Sequence, residues 1–317
     1  MNALHENGVK IPVGSYQQMP ENCSTKIWDG NGGLQSPRRL QRKSWIFTSA
    51  NDADFFIGFA IVDAGLLGKA FVYIFDKKNK KCIENHINIP LGFSADFDPS
   101  FQGSWKLGEY QVHYNENQLF CEVNTKQIKY RLSIEVDLKG ISFMCPAGDR
   151  PFHFTYKNVH LKANAYVEFN GKQYKEREMV ASIDFSKGYP PRHTFWNWLS
   201  FTGETESGKQ IGLNLVDQFN GNIENVLWLD NEVIPVSKAL FIYENPMEAG
   251  MVTINSVDGN IEISMTAEGK RGEHMNFILM KSKFTQVFGQ ISGKIRWKNQ
   301  LLEIKGYGVI EEHEALW

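Results

Sequence analysis

One strand pattern occurs twice in this chain, and it limits the folds that the chain can adopt. Residues 57–76 read IGFAIVDAGLLGKAFVYIFD, and residues 211–230 read IGLNLVDQFNGNIENVLWLD. Aligned without a gap, the two segments share an Ile-Gly pair, a Val-Asp pair and a final aspartate. A tryptophan precedes each copy, at Trp45 and Trp198. The offset is about half of the 317 residues, far longer than the ~20–50 residues of a solenoid repeat, so the pattern predicts two similar domains.

Alternation of apolar and polar residues identifies the strands within these domains. Residues 128–136 and 159–169 both place an apolar side chain at every second position, which is typical of strands with one buried face. Turn residues separate such runs at Asn170-Gly171, at Asp258-Gly259 and at Lys298-Asn299, and each predicts a hairpin. Because convincing amphipathic helices are scarce, the pattern predicts an all-β chain of antiparallel sandwiches or barrels.

The best domain boundary is the segment 187–191, Lys-Gly-Tyr-Pro-Pro, just before the second tryptophan block. Two consecutive prolines cannot lie in a central strand and stiffen a joint between domains. We therefore expect an N-terminal β domain over 1–190, with an extension before Trp45, and a C-terminal β domain over 191–317.

Composition excludes several classes of function. The formal net charge is −2 and the sequence pI is about 6.5, so no global charge favours nucleic acid or an anionic membrane. No apolar run approaches the ~18 residues of a membrane span, and the first twenty residues lack a secretory signal pattern. The four cysteines are widely spaced, which favours a cytoplasmic protein with reduced thiols. Disulfides formed after non-classical export are the alternative.

Several blocks of the second half resemble a known family. They are RHTFWNWLSFTGETESGKQIGLNLVDQFN at 192–220, IENVLWLD at 223–230, SKFTQVFGQISGKI at 282–295 and GYGVIEEHEALW at 306–317. In this order they resemble the large, mostly microbial family known as domain of unknown function 2804, and Arg42–Asp76 fits the same pattern.

That family is similar, more distantly, to two-domain lipocalin-like proteins, which include carotenoid hydratases, fungal cyclases and hydratases, and a yeast survival factor that handles sphingolipids. The resemblance implies two lipocalin-like antiparallel β-barrels or sandwiches in tandem. It carries no settled activity to this chain, because a fold does not define a function.

The second tryptophan block offers the first candidate site. If residues 192–202 form a strand, His193 and Asn197 share one face, whereas Trp196 and Trp198 share the other. As ligand-binding residues, the tryptophans would form pocket walls, and Asn197 or His193 would supply a polar contact. The alternative is that the tryptophans close one end of a barrel.

Polar residues replace apolar ones where the second copy of the repeat differs from the first. Asn214 stands where the first copy has Ala60, and Glu224 and Asn225 stand where it has Ala70-Phe71. The comparison predicts ligand contacts from Asn214, Glu224 and Asn225 in the second domain. The alternative for Glu224 and Asn225 is a solvated loop edge.

The C-terminal strand carries the candidate catalytic residues. Extending the alternation of Leu302 and Ile304 puts Glu312 on the core face and His313 on the opposite face. A carboxylate or imidazole in an apolar site can act as a general acid or base, and the family resemblance extends to Glu312, His313 and Trp317. A charged strand end that emerges into solvent is the alternative.

Three functions remain open from the sequence. The leading hypothesis is binding of a hydrophobic small molecule, such as a lipid or isoprenoid, in a barrel cavity or between the barrels. A competing one is a cofactor-free hydratase, isomerase or cyclase with Glu312 or His313 as proton donor. A partner-binding module with filled barrels is the third.

The sequence has no nucleophile elbow, phosphate-binding loop or H-E-x-x-H motif, so it predicts no cofactor and no metal. Oligomeric state stays undetermined.

Overall fold

The computed structural model describes residues 11–18, 22–25, 37–90, 96–97, 103–115, 117–137, 139–230, 232–277 and 280–317. The chain divides into two compact units. The N-terminal unit comprises Met1–Asp76 and Ile83–Pro191, and the C-terminal unit comprises Lys77–Cys82 and Arg192–Trp317. None of the helices in the described part of the chain has the length and apolar character that crossing a membrane requires.

Over its described residues, the N-terminal unit is built almost entirely from strands, with one short helix, α1 (Pro37–Gln41). Its strands are β1 (Gly14–Tyr16), β2 (Lys43–Asn51), β3 (Phe55–Asp63), β4 (Leu67–Asp76), β5 (Lys81–Pro90), β6 (Asp96–Phe97), β7 (Ser104–Leu107), β8 (Tyr110–Asn115), β9 (Gln118–Asn124), β10 (Ile128–Glu135), β11 (Ile141–Cys145), β12 (His153–Phe169) and β13 (Lys172–Gly188). They form one antiparallel sheet in the order β5-β4-β3-β2-β13-β12-β10-β9-β8-β7-β6, and β11 joins β1 to β12.

The C-terminal unit repeats this plan with fewer strands and adds two 3-10 turns, Asn220–Asn222 and Met247–Ala249. Its strands are β14 (His193–Thr205), β15 (Gln210–Asp217), β16 (Val226–Leu229), β17 (Glu232–Pro235), β18 (Ala239–Ile242), β19 (Met251–Ser256), β20 (Ile261–Thr266), β21 (Gly269–Asn276), β22 (Lys281–Trp297) and β23 (Gln300–Leu316). The order is β17-β16-β15-β14-β23-β22-β20-β19-β18, and β21 pairs with β22.

The two sheets share one topology, which confirms the prediction of an all-β chain with two lipocalin-like antiparallel sheets in tandem. Each unit ends in a hairpin of two 17-residue strands, β12–β13 and β22–β23. The last strand of each hairpin pairs with the first long strand of its unit. The tryptophans occupy the same register, because Trp45 pairs with Val62 and Trp198 pairs with Val216.

The strand registers correct the gap-free alignment of the repeat at one point. In the first copy Gly58 pairs with Tyr73, and in the second Gly212 pairs with Trp228. The second copy is therefore one residue longer between its two strands. By register, Ala70 corresponds to Asn225 rather than to Glu224, because a connection of different length joins β15 to β16.

The hairpin predictions are confirmed by the backbone. Asn170 and Gly171 join β12 to β13 with φ values of 51° and 73°, and Lys298 and Asn299 join β22 to β23 with φ values of 48° and 64°. Positive φ at both central residues gives a turn that matches the twist of the flanking strands. Asp258-Gly259 lies in the connection between β19 and β20, which are paired.

The core of the C-terminal unit lies on one face of its sheet and is mainly aliphatic, with Leu199 and Ile310 among its members. Phe201 belongs to this core and lies against Gly306 of the neighbouring strand. A Cβ atom on Gly306 would be 2.2 Å from the Thr202 carbonyl oxygen and 2.7 Å from the Phe201 ring. This close approach fixes how β14 and β23 pack, and the candidate site lies farther along the same two strands.

Candidate functional site

Strands β14, β15 and β23 bring polar side chains together at one end of the aliphatic core face. Asn197 pairs with Asp217 on one side and with Glu312 on the other. Because side chains alternate along a strand, Asn197 shares its face with Leu199, and Glu312 shares its face with Ile310. The predicted face of Glu312 therefore agrees with the observed register.

Tyr243 links the two strands through its hydroxyl group. It donates a hydrogen bond to Glu312 Oε2, and Asn197 Nδ2 donates one to the Tyr243 oxygen at 2.9 Å. Lys283 Nζ lies 4.0 Å from Glu312 Oε1. Burial, and then the hydrogen bond to Glu312, raise the pKa of the Tyr243 hydroxyl above its ordinary value. We call Asn197, Tyr243 and Glu312 the inner polar cluster.

The opposite face of β14 and β23 carries a second polar cluster, centred on the buried carboxylate of Glu311. Trp196 Nε1 donates to Glu311 Oε1 at 2.9 Å, and Gln286 Nε2 donates to Glu311 Oε2 at 2.7 Å. Each carboxylate oxygen thus accepts a hydrogen bond from a buried side chain. These bonds fix the carboxylate in one orientation.

His313 belongs to this second cluster and not to the inner one. Its Nε2 lies 2.8 Å from Ser282 Oγ, and its Nδ1 lies 3.7 Å from Glu311 Oε1. The imidazole packs edge-on against two aromatic rings, with centroid distances of 4.4 Å to Trp196 and 5.2 Å to Phe284. Trp317 is 6.0 Å from the His313 ring. We call Ser282, Gln286, Glu311 and His313 the opposite-face cluster.

The remaining predicted ligand residues hold the connection between β15 and β16. Trp198 Nε1 donates to Asn214 Oδ1 at 2.9 Å, and Asn214 Nδ2 donates to the Glu224 backbone carbonyl at 2.8 Å. Asn225 Oδ1 accepts from the Val216 backbone N–H at 2.6 Å. The Glu224 side chain is buried. Both ends of the Asn214 amide are therefore used within the protein.

His193 lies apart from both clusters. Its ring is exposed, and Nε2 lies 2.9 Å from Glu314 Oε1, also exposed. The predicted residues thus fall into four groups: the inner cluster, the opposite-face cluster, the network around Trp198, and the surface pair of His193.

Sequence reasoning missed two kinds of residue. Nothing in the sequence around Tyr243 indicates that it reaches Glu312, which lies 69 positions away. Ser282 and Gln286 could have been found from the alternation of β22, because they share a face with Phe284. Glu311 could have been found from the alternation of β23, because it shares the face of His313.

The repeat shows that the two carboxylates and the imidazole of Glu311, Glu312 and His313 are specific to the C-terminal unit. Trp45 and Trp198 occupy matching positions, and their partners across the last strand are Ser186 and Glu311. From this match, Glu311, Glu312 and His313 correspond to Ser186, Lys187 and Gly188. The N-terminal unit therefore lacks the carboxylates and the imidazole at these positions.

The described residues contain no group of three or more His, Cys, Asp or Glu side chains that could hold a metal ion. All four cysteines are described, and none forms a disulfide.

The tandem antiparallel sheets define a class, the two-domain lipocalin-like β proteins. Within that class, the chain belongs to the family described as Domain of unknown function (DUF2804), whose sequence profile matches residues 1–317. This confirms the resemblance read from the sequence blocks. A search of curated proteins found no match.

Three solved structures share the fold. Kievitone hydratase from Nectria haematococca has 11% sequence identity and a TM-score of 0.56, over 94% of this chain and 98% of that chain. CghA has 11% identity and a TM-score of 0.54, over 98% and 95% of the two chains. A protein assigned as AttH from Nitrosomonas europaea has 11% identity and a TM-score of 0.51, over 89% and 97%. At this identity the similarity shows the fold alone.

Proposed function

We propose that the C-terminal unit binds a hydrophobic small molecule, of the lipid or isoprenoid class, that carries one hydroxyl or carbonyl group. Its apolar part would lie against the aliphatic face that includes Leu199 and Ile310, and its polar group would meet the inner polar cluster. The supporting observation is the hydrogen-bonded chain of Asn197, Tyr243 and Glu312 at the end of that face.

The physical argument rests on the cost of burying polar groups. A carboxylate and a phenol beside an apolar face lose hydration, and they are retained when hydrogen bonds compensate. Glu312 has a second oxygen beyond the one that Tyr243 occupies, so it can accept a hydrogen bond from a ligand hydroxyl. Apolar contact contributes roughly 25 cal/mol per Å² to affinity, and the polar contact orients the ligand.

The first experiment identifies what the protein carries. Native mass spectrometry of the purified chain, followed by solvent extraction, would detect a co-purifying hydrophobic compound. Direct binding is then measured by calorimetry with geraniol, an isoprenoid alcohol, and with its methyl ether, which cannot donate a hydrogen bond. We expect geraniol to bind about tenfold more tightly than the ether, because one such hydrogen bond contributes about 1–1.5 kcal/mol.

Two variants test whether the inner polar cluster makes this distinction. Tyr243→Phe and Glu312→Gln should reduce the preference for the alcohol, whereas Glu303→Gln, an exposed carboxylate on the same strand, should leave it unchanged. The proposal is wrong if neither compound binds and nothing co-purifies, or if the preference for the alcohol survives in both variants.

A second candidate function is cofactor-free hydration of an alkene at the same cluster. Glu312 in its acid form would transfer its proton to one alkene carbon, water would add to the other, and the proton lost by that water would return to Glu312. The favouring observation is the Tyr243 hydroxyl, whose hydrogen bond would stabilise the carboxylate left after proton transfer. The name of one similar structure, a hydratase, agrees with this activity.

This activity is tested by incubating the protein with β-myrcene in oxygen-18-labelled water and analysing the products by gas chromatography and mass spectrometry. An alcohol that carries the label and disappears in Glu312→Gln would support hydration. Binding without any labelled product would leave the ligand-binding function and exclude hydration of this substrate. His313 lies on the other face of β23 and has no part in either proposal.

A further inference from the structure

The opposite-face cluster places a hydroxyl, an imidazole and a carboxylate in line. Ser282 Oγ is 2.8 Å from His313 Nε2, and His313 Nδ1 is 3.7 Å from Glu311 Oε1. A nucleophile within hydrogen-bond reach of a base, with the base beside a third orienting group, is the arrangement that activates serine in covalent catalysis. It is recognised by geometry rather than by sequence order or fold.

The three residues reach this geometry because β22 and β23 pair with Phe284 opposite His313 and Gln286 opposite Glu311. Ser282 therefore lies one alternation step beyond Phe284 on the same face. The 3.7 Å separation between His313 and Glu311 exceeds a hydrogen bond. Catalytic contacts are often long without substrate and tighten when it binds.

The orientation of Glu311 is fixed independently of His313. Trp196 and Gln286 each donate to one of its oxygens, so the carboxylate cannot rotate away from the imidazole without losing a bond. The Gln286 side chain is 1% exposed, and its Oε1 has no hydrogen-bond partner among the described residues. A ligand with an N–H or O–H group could donate a hydrogen bond to this buried acceptor and so satisfy it.

We propose that Ser282, His313 and Glu311 form a second site, which reacts with carboxylic esters. Ser282 is the nucleophile, His313 the base, and Glu311 a positioning residue. The aromatic rings of Trp196, Phe284 and Trp317 around His313 favour an ester with a small apolar acyl group. The side chain of His313 is 13% exposed, so the imidazole is the accessible part of the cluster.

The reaction balances with an ester and water. Ser282 Oγ forms a bond to the ester carbonyl carbon while its proton passes to His313 Nε2. The bond to the alcohol oxygen then breaks, and the departing alkoxide takes the proton from His313. Water, deprotonated by His313, attacks the acyl-serine and releases the acid, and the proton on His313 returns to Ser282.

Covalent labelling tests the nucleophile directly. The full-length protein is treated with an ethyl fluorophosphonate probe, which phosphonylates an activated serine with loss of fluoride, and peptides are mapped by mass spectrometry. We expect labelling at Ser282 and a burst of p-nitrophenol from p-nitrophenyl acetate. Ser282→Ala should abolish both, and His313→Asn should slow labelling by at least about tenfold. Ser292→Ala removes an exposed serine of the same strand and should change neither.

The positioning role of Glu311 has its own readout. Glu311→Gln keeps an acceptor oxygen but removes the charge, so we expect slower labelling in a protein that stays folded under the labelling conditions. Circular dichroism establishes that each variant is folded. The proposal is overturned if folded wild-type protein leaves Ser282 unlabelled where a known serine hydrolase reacts fully. It is equally overturned if folded His313→Asn is labelled at the wild-type rate.

Discussion

Replacing Glu311 with alanine is expected to destabilise the C-terminal unit by about 2–6 kcal/mol. The Glu311 residue is 7% exposed, and its two oxygens accept hydrogen bonds from Trp196 and Gln286. Alanine offers neither acceptor, so two buried N–H groups lose their partners. Leaving one buried donor unsatisfied costs about 1–3 kcal/mol, and the sum over two donors gives the expected range.

Glutamine at position 311 is a milder change and separates the two contributions. Its side-chain carbonyl still accepts from one donor, whereas its NH₂ group faces the other. We therefore expect Glu311→Gln to cost about 1–3 kcal/mol, roughly half the effect of alanine. The difference between the two variants measures what the second acceptor contributes.

The assay is urea unfolding followed by tryptophan fluorescence, since Trp196 contacts the altered group, with circular dichroism to track the sheets. Glu303→Ala is the matched control on the same strand. Glu303 is about half exposed and pairs with Lys294 at 3.6 Å, so its loss should cost less than about 1 kcal/mol. The reasoning is refuted if Glu311→Ala and Glu303→Ala lower the free energy of unfolding equally.

Three further outcomes follow from the structure. Gly306→Ala should lower the melting temperature through a clash costing about 1–3 kcal/mol, because its Cβ would meet a carbonyl oxygen at 2.2 Å; Gly250→Ala, with nothing within 4 Å, should not. Burial of Asp258 raises the pKa of its carboxyl group, but hydrogen bonds to the carboxylate lower it by more, so the pKa falls from 3.8 to about 2. The ionised form of Asp258 therefore stabilises the fold above pH 3.8. That contribution, at most about 1 kcal/mol at an exposed site, should vanish as pH falls from 3.8 to about 2 in wild type, and Asp258→Asn should lack this dependence. A thiol reagent should modify the exposed Cys82 in the native protein, whereas Cys121, buried with its pKa raised to about 12 by desolvation, should react only after unfolding.

The fold was largely predictable because its signals are local. Alternation over 128–136 and 159–169 needs only the period of a strand, and Asn170-Gly171 needs only its turn preference. The one-residue difference between the repeat copies was not predictable in this way. It depends on the connection before Val226, where Asn225 bonds to the Val216 backbone, and that contact exists only once β15 and β16 have formed.

The candidate site was predictable only in part. The faces of Glu312 and His313 follow from alternation along β23, and the registers agree with them. The contacts that give each side chain its chemistry come from elsewhere in the chain, Tyr243 for Glu312 and Ser282 for His313. Their separation in sequence carries no periodic signal, so only the assembled sheet brings them together.

The alternation of β23 also implies that one strand serves two separate sites. Glu312 faces the aliphatic core with Tyr243, whereas His313 faces the other side with Ser282. Since the two clusters share no hydrogen-bond partner among the described residues, substitutions in them should act independently. We expect the stability changes of Tyr243→Phe and Ser282→Ala to add within about 0.5 kcal/mol in the double variant. A larger coupling, measured by urea unfolding of all four proteins, would mean that the two faces form one site, and the ligand-binding and ester-cleaving proposals would then have to be merged.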